Sequence, residues 1–233
     1  HFLTQILLVG FSFLLYGLLP GQVFEEDFER YAVGEVAGWD ASSGSVVLDA
    51  ETSGLMGSPN QFMELGSASI KLLKEVQNIA EGGVTTYAMD FVEMSGAAAS
   101  SGVQVGFGQN NELNTDNAAV RVSLEDGEIS HNTISGLSRI TEGGVLAYRK
   151  EELHRLYIVV NDSDEAIVDY VESEDLAAHS FEVWLYSSVT GLQHVLEATI
   201  APRLLAYAGV RTWSSYDALM YIDNVRIDDQ ARI

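Results

Sequence analysis

The chain has 233 residues, 34 of them acidic and 12 basic, for a net charge of −22. That balance opposes binding to nucleic acid or to anionic membrane surfaces by counterion release, and the absence of cysteine excludes a disulfide framework, thiolate catalysis and Cys-ligated metal. With only three prolines and no Ser/Pro-rich linker, residues 22–233 read as one domain.

Ile6 to Leu19 form an apolar run followed by Pro20-Gly21-Gln22. The run is short for a membrane span and matches the hydrophobic region of a secretory signal, with cleavage after Gly21. Residues 1–21 are therefore expected to be a signal peptide, and the mature chain to be extracellular or periplasmic with no membrane contact. A basic leader segment is missing and the chain opens on His1, so the other reading keeps the run as an anchor or as a packing element in an assembly.

Beyond Trp39 the sequence breaks into short β-rich runs punctuated by Gly, Asn, Asp and Ser, with no long stretch of helical period. Strands are expected over 45–49, 61–65, 70–74, 84–93, 103–108, 119–125, 145–149, 153–161, 166–171, 181–186, 195–200, 205–212 and 219–227. Tyr87, Met89 and Phe91 alternate with Thr86, Ala88 and Asp90, and Val120, Val122 and Leu124 alternate with Arg121, Ser123 and Glu125, giving each strand one face to bury. Leu156 to Val160 is apolar in both phases and is expected centrally, covered on both sides. Short helical turns are expected at Lys74 to Ala80 or Glu174 to Ala178. So many short strands predict an all-β fold, a two-sheet antiparallel β-sandwich of jelly-roll type.

The two ends carry the main chemical signal. In the last strand Tyr221, Asp223, Val225 and Ile227 share a phase, so a carboxylate is expected on the buried side; near the start Glu26 shares a phase with Phe24 and Phe28. If the ends are neighbours in one sheet, inward acids from both meet and need compensation. Calcium held by Glu26, Asp27 and Asp223 answers that need, since hard oxygen donors without Cys or His select calcium over zinc. The alternative is that each acid accepts backbone N–H groups or pairs with Arg226 or Arg30.

Phe24-Glu25-Glu26-Asp27-Phe28-Glu29 with Gly38-Trp39, Asn60-Gln61 opening a strand, His154 to Asn161, and Tyr221-Ile222-Asp223-Asn224-Val225 together resemble the concanavalin A-like lectin/glucanase superfamily. The laminin G-like jelly rolls of secreted bacterial proteins are the nearest match, with a galactose-binding-like jelly roll as the alternative. The resemblance implies a structural calcium near the chain ends that uses a late Asp equivalent to Asp223.

The Glu25-x-Asp27-x-Glu29 spacing resembles the signature of laminarinase-type hydrolases, in which two acids about 5 Å apart act as nucleophile and acid/base. Its place at the start of the fold, rather than on a central strand, argues against catalysis. His131, His154, His179 and His194 lack metal-ligand spacing, and His154 reads as a hydrogen-bonded, partly buried histidine. Trp213 and Tyr216, with Tyr207, Arg211 and Asp217 close by, place aromatic faces beside polar groups, the combination that sugar recognition requires. The loop containing Asn110, Asn111 and Asn114 offers amides to sugar hydroxyls, although turn chemistry also selects Asn there. Asn161 to Asp164 begins like a calcium loop but reads as a hairpin turn.

The leading expectation is a secreted, non-catalytic carbohydrate-binding domain whose partner is a polysaccharide or glycan. A glycan-active hydrolase or lyase of the same superfamily, and a structural or adhesive surface protein that retains the apolar N-terminal run, are the alternatives.

Overall fold

The computed structural model describes residues 22–34, 40–41, 45–49, 54–56, 60–66, 71–76, 83–95, 102–114, 116–133, 136–139, 147–171, 174–201, 204–212 and 219–233. The expected leader 1–21, Trp39, Trp213, Tyr216 and Asp217 lie outside the described residues.

Every regular element among the described residues is a strand: β1 Gln22–Glu26, β2 Asp40–Ala41, β3 Ser45–Asp49, β4 Gln61–Leu65, β5 Lys71–Glu75 and β6 Val84–Glu93. There follow β7 Val103–Gly108, β8 Ala118–Glu125, β9 Glu128–Thr133, β10 Gly136–Arg139, β11 His154–Asn161 and β12 Ile167–Val171. The chain continues through β13 Glu174–Leu176, β14 Ser180–Ser187, β15 Gly191–Thr199, β16 Tyr207–Arg211 and β17 Met220–Asp228. One sheet runs β15-β14-β11-β6-β17-β4-β3, with β1 also on β17, and the second runs β10-β9-β8-β7-β16-β5-β2. The pairings are antiparallel, and β12 with β13 forms a small separate ribbon.

The period-two pattern explains the layers. Tyr87, Met89, Phe91, Leu156, Ile158, Val160, Phe181 and Val183 of the first sheet share one core with Val103, Val105, Phe107, Val120, Val122, Leu124 and Val210 of the second. Each such side chain contributes about 1.5–3 kcal/mol by leaving water. Central β11, between β6 and β14, is buried on both faces as its two-phase apolar run predicts.

The structure departs from the sequence reading in four ways. The opposite phase of β6 is buried too, with Thr86, Ala88 and Asp90 at 9% exposure or less. A second layer covers it: Leu176, Ile167, Val171, Ala231 and Ile233 pack over Ala88, Tyr157, Val159 and Trp184. The C-terminal tail is fixed there through Thr86, whose Oγ1 donates to Gln230 O at 2.8 Å and accepts from Arg232 N at 3.0 Å.

Second, Glu174–Leu176 is a strand rather than a helical turn, and Lys74 and Glu75 finish β5. The pairing of β13 with β12 outweighs the weak helix preference of so short a segment. Third, Tyr148 and Arg149, expected in a strand, lie in a bend before β11, where Tyr148 is 2% exposed. Fourth, β9 follows β8 through Asp126-Gly127, whose φ values of 54° and 80° define a two-residue hairpin turn of the type favoured by Asp-Gly.

Candidate functional site

The chain ends meet as expected: β1 pairs with β17, placing Glu26 opposite Val225. Within β17, however, the register against β6 shifts between Asp223 and Arg226, and Asn224 takes φ 48°. This bulge changes the phase of the strand. Met220 and Ile222 point into the sandwich before it, and Val225 and Ile227 after it. Asp223 therefore lies on the outer face, opposite Asp90, while Glu26 stays on the face of core residue Val225. Simple alternation put Asp223 and Glu26 on one side; the bulge separates them.

Glu26 is 2% exposed and fully engaged. Its Oε1 accepts Phe28 N at 3.1 Å, and its Oε2 accepts Arg30 Nη2 at 2.6 Å and Tyr31 Oη at 2.9 Å. Pairing with Arg30, the alternative to calcium, is what the structure contains. Asp27 is exposed and its Oδ1 accepts Glu29 N at 3.2 Å. Glu25 and Glu29 are also exposed, and Glu29 Oε1 accepts Gln61 N at 2.7 Å. Asp223 Oδ2 accepts Asn60 Nδ2 at 2.8 Å and Asn224 Nδ2 at 3.2 Å, while its buried Oδ1 has no hydrogen-bond partner. Burial pushes the Asp223 carboxyl up to about 7, helped by the charges of Asp90 and Asp27 and opposed by the amides of Asn60 and Asn224. Among the described residues no three His, Cys, Asp or Glu side chains form a group able to hold a metal ion.

Asp90 is supported differently. β6 and β11 pair with Asp90 opposite Arg155, which donates Nε to Oδ1 at 2.6 Å and Nη2 to Oδ2 at 2.8 Å. Asn224 Nδ2 adds a bond to Oδ2 at 2.8 Å. The hydrogen bond that it donates to Asp90 raises the Arg155 guanidinium further above its already high value, against the opposing effect of burial. The result is a polar strip, Asn60–Asp223–Asn224–Asp90–Arg155, between two apolar clusters of the outer face. The cluster of Met56, Phe62, Val92 and Tyr221 lies on that face, as does the cluster around Trp184.

At the Arg155 end the strip opens into a cleft of about 330 Å³ lined by Asp90, Leu153, His154, Arg155, Tyr157, Tyr186 and Ser188. Tyr186 is 47% and Leu153 40% exposed, an uncommon state for large apolar side chains. His154 is 3% exposed, with Nε2 3.0 Å from Arg149 O and its ring against Phe91 and Tyr148. Desolvation lowers its pKa, as fits the hydrogen-bonded, buried histidine expected from its phase. Asp90 is the one carboxylate among the lining residues, and Arg155 holds it on both oxygens. This arrangement presents fixed donors and an aromatic wall but no pair of acids.

The other sequence candidates are dispersed. Asn114 Oδ1 accepts Asp116 N, Asn117 N and Asn117 Nδ2 at 3.1, 3.0 and 2.9 Å, folding its own loop. The carbonyl of exposed Asn110 accepts Glu112 N at 2.7 Å, and Asn111 is half-buried beside it. Asn161 is an internal turn residue whose Nδ2 donates to Glu165 O, Leu176 O and Ala177 O. The cleft itself was not assembled from sequence. Asp90 and Arg155 are 65 positions apart and become neighbours only through the β6–β11 register.

No family model and no curated protein matches this chain by sequence. Solved structures do match. The conserved carbohydrate esterase from Shiga toxin-encoding bacteriophage phi24B superposes with a TM-score of 0.54 at 15% identity, over 90% of this chain and 98% of that one. The binding domain of Paraclostridial Mosquitocidal Protein 1 gives 0.52 at 13% identity, and the receptor-binding domain of botulinum neurotoxin C/D mosaic serotype gives 0.53 at 9%. This chain is covered to 91% in both, but spans only 50% and 49% of those two domains. Likeness at such identities establishes the fold: the protein is an all-β, antiparallel β-sandwich of jelly-roll type.

Proposed function

We propose that this chain is a secreted, non-catalytic carbohydrate-binding domain of the concanavalin A-like type, and that the cleft beside Arg155 receives the sugar. The observation that carries the reading is the cleft itself: an exposed aromatic side chain, Tyr186, stands over a floor of hydrogen-bonding groups fixed by the Arg155–Asp90 fork. Asp90 is held as an acceptor by Arg155 on both oxygens, and its neighbouring acid, Asp223, is buried beyond the cleft lining, which favours recognition over glycosidic cleavage. The likeness to a bacteriophage carbohydrate esterase, and to toxin binding domains, supports a carbohydrate-related role. Affinity electrophoresis on a panel of soluble polysaccharides tests the reading. Retardation by at least one polysaccharide that disappears in Tyr186→Ala, with unchanged melting, is the expected result. Retardation by none, or retardation that survives Tyr186→Ala, overturns the cleft as the site.

Trp213, Tyr216, Asn110, Asn111 and Asn114 remain proposed sugar contacts, checked by whether Trp213→Ala weakens retention without lowering the melting temperature. The calcium proposal keeps Glu26, Asp27 and Asp223 with backbone carbonyls, Glu26 having to exchange its Arg30 partner for the ion. The unpartnered, buried Oδ1 of Asp223 supports it, and the absence of a three-ligand group among the described residues weighs against a tight site. A rise in melting temperature with millimolar calcium that is absent in Asp223→Asn is expected; equal melting in calcium and EDTA rejects the ion.

A further inference from the structure

We infer that the Arg155 cleft selects an uncharged pyranose carrying adjacent hydroxyls and discriminates against carboxylated and sulfated sugars. The inference rests on the glycan-binding reading above and adds the ligand class. It starts from the floor of the cleft. Arg155 commits Nε and Nη2 to the two oxygens of Asp90. A guanidinium has five N–H donors; besides the fork to Asp90, Arg155 hydrogen-bonds Tyr157, and its remaining donors are offered to a ligand that enters the cleft. The charge of the guanidinium is already balanced, because Asp90 lies side-on against Nε and Nη2 at 2.6 and 2.8 Å. Asn224 donates a neutral amide to Asp90 Oδ2 at 2.8 Å.

A sugar carboxylate or sulfate entering here meets a guanidinium whose counter-ion is in place, with the Asp90 carboxylate beside it. It would leave water without gaining an uncompensated cation, in a chain of net charge −22. A hydroxyl bears no such penalty. It accepts from Arg155 and donates to an oxygen nearby, and neighbouring hydroxyls on one ring suit a planar donor edge flanked by Tyr157 and Ser188.

The walls fit the same ligand. Tyr186 and Leu153 are the exposed apolar side chains lining a volume of about 330 Å³, the lower end of the usual size for small-molecule sites. A pyranose has an apolar face of C–H groups for the tyrosine ring and a polar edge for the floor, whereas a lipid chain would leave the remaining Arg155 donors without an acceptor.

The test combines an immobilised glycan panel at low and high salt with titration of the ¹⁵N-labelled wild-type protein by neutral methyl glycosides and by the matching uronates. Expected are retention on neutral glycans that changes little with salt, shifts of the Tyr186, Ser188 and Arg155 amides with neutral glycosides only, and about tenfold weaker binding in Tyr186→Ala. Arg155→Lys keeps the charge and loses the planar edge, so it should weaken neutral binding about as much. Salt-sensitive retention of acidic glycans that needs Tyr186, or Arg155→Lys binding at wild-type strength, overturns the neutral class and leaves the glycan reading intact. Retention by no glycan, or retention indifferent to Tyr186→Ala with no shifts at the cleft, overturns both. The wild-type titration decides the class even if a variant fails to fold.

Discussion

Asp223 and Asp90 face each other across β17 and β6 and share one amide donor, Asn224 Nδ2, at 3.2 and 2.8 Å, yet only Asp90 has a cationic partner. Two buried acids on adjacent strands thereby sit in different surroundings. Arg155 pairs with both oxygens of Asp90, while burial raises Asp223 to about 7. The bulge at Asn224 produces the contrast by turning Asp223 outward while the rest of β17 points its apolar residues in.

The sign of the resulting pH dependence follows from proton counting. Between about pH 4 and pH 7 the unfolded chain has released the Asp223 proton and the folded chain still holds it. Stability in metal-free buffer should therefore fall as pH rises through that window and level off above 7, by roughly 2–4 kcal/mol in all. Asp223→Asn removes the ionisation and should flatten the slope in denaturant melts from pH 4.5 to 7.5 with EDTA present. An equal slope in the variant would assign the pH dependence to other groups.

Much of this arrangement was legible in sequence and some was not. The apolar alternation of 84–93 and 103–108 fixed both strands to their observed ends, and the two-phase run 156–160 placed β11 centrally, because burial imposes a period of two that no other element shares. The meeting of the chain ends was readable from matched acids inside apolar phases. The phase change at Asn224 was not, since a single left-handed residue carries no periodic signal, and Glu26 and Asp223 were consequently assigned to one side. The Asp126-Gly127 turn carried a readable dipeptide that strand counting passed over. The cleft was illegible, because its parts belong to separate strands brought together by register.

Glu93, 1% exposed at the end of β6, ties the first sheet to the β8–β9 hairpin of the second. Its carboxylate accepts Asp126 N at 3.1 Å, Gly127 N at 3.2 Å and the hydroxyl of Tyr148, with Lys150 Nζ 3.8 Å away. Glu93→Gln keeps the shape but replaces an acceptor oxygen with a donor amine facing N–H groups. The expected loss is about 2–3 kcal/mol in chemical denaturation. A loss below about 0.5 kcal/mol would show that the hairpin is held by its apolar contacts alone.

Asn161, fully buried at the end of β11, closes the β11–β12 turn and reaches the start of the β13–β14 connection through Leu176 O and Ala177 O. Asn161→Ala leaves three carbonyls and the Ser163 donors to find other partners. It should destabilise by about 2–4 kcal/mol and raise amide exchange in 163–177 before the sandwich core responds. Exchange rising uniformly across β6, β11 and β17 instead would make Asn161 a global rather than a local support.

Gly106 and Gly209 are register partners in the middle of the second sheet, both with φ 151°. A Cβ at Gly106 would stand 2.1 Å from Val120 O, and one at Gly209 2.1 Å from Leu72 O, so in each case the obstacle is a neighbouring strand's backbone. Gly191, in the β14–β15 turn at φ 72°, has open space around its Cβ position. Alanine at Gly191 should cost only the left-handed strain, about 1 kcal/mol, whereas alanine at Gly106 or Gly209 must also move a paired strand and should cost at least about 3 kcal/mol. Urea midpoints of the three variants, read with soluble yield, compare them directly. Equal midpoints for Gly106→Ala and Gly191→Ala would mean that the second sheet yields at β7 without losing its pairing, contrary to the close approach of its strands.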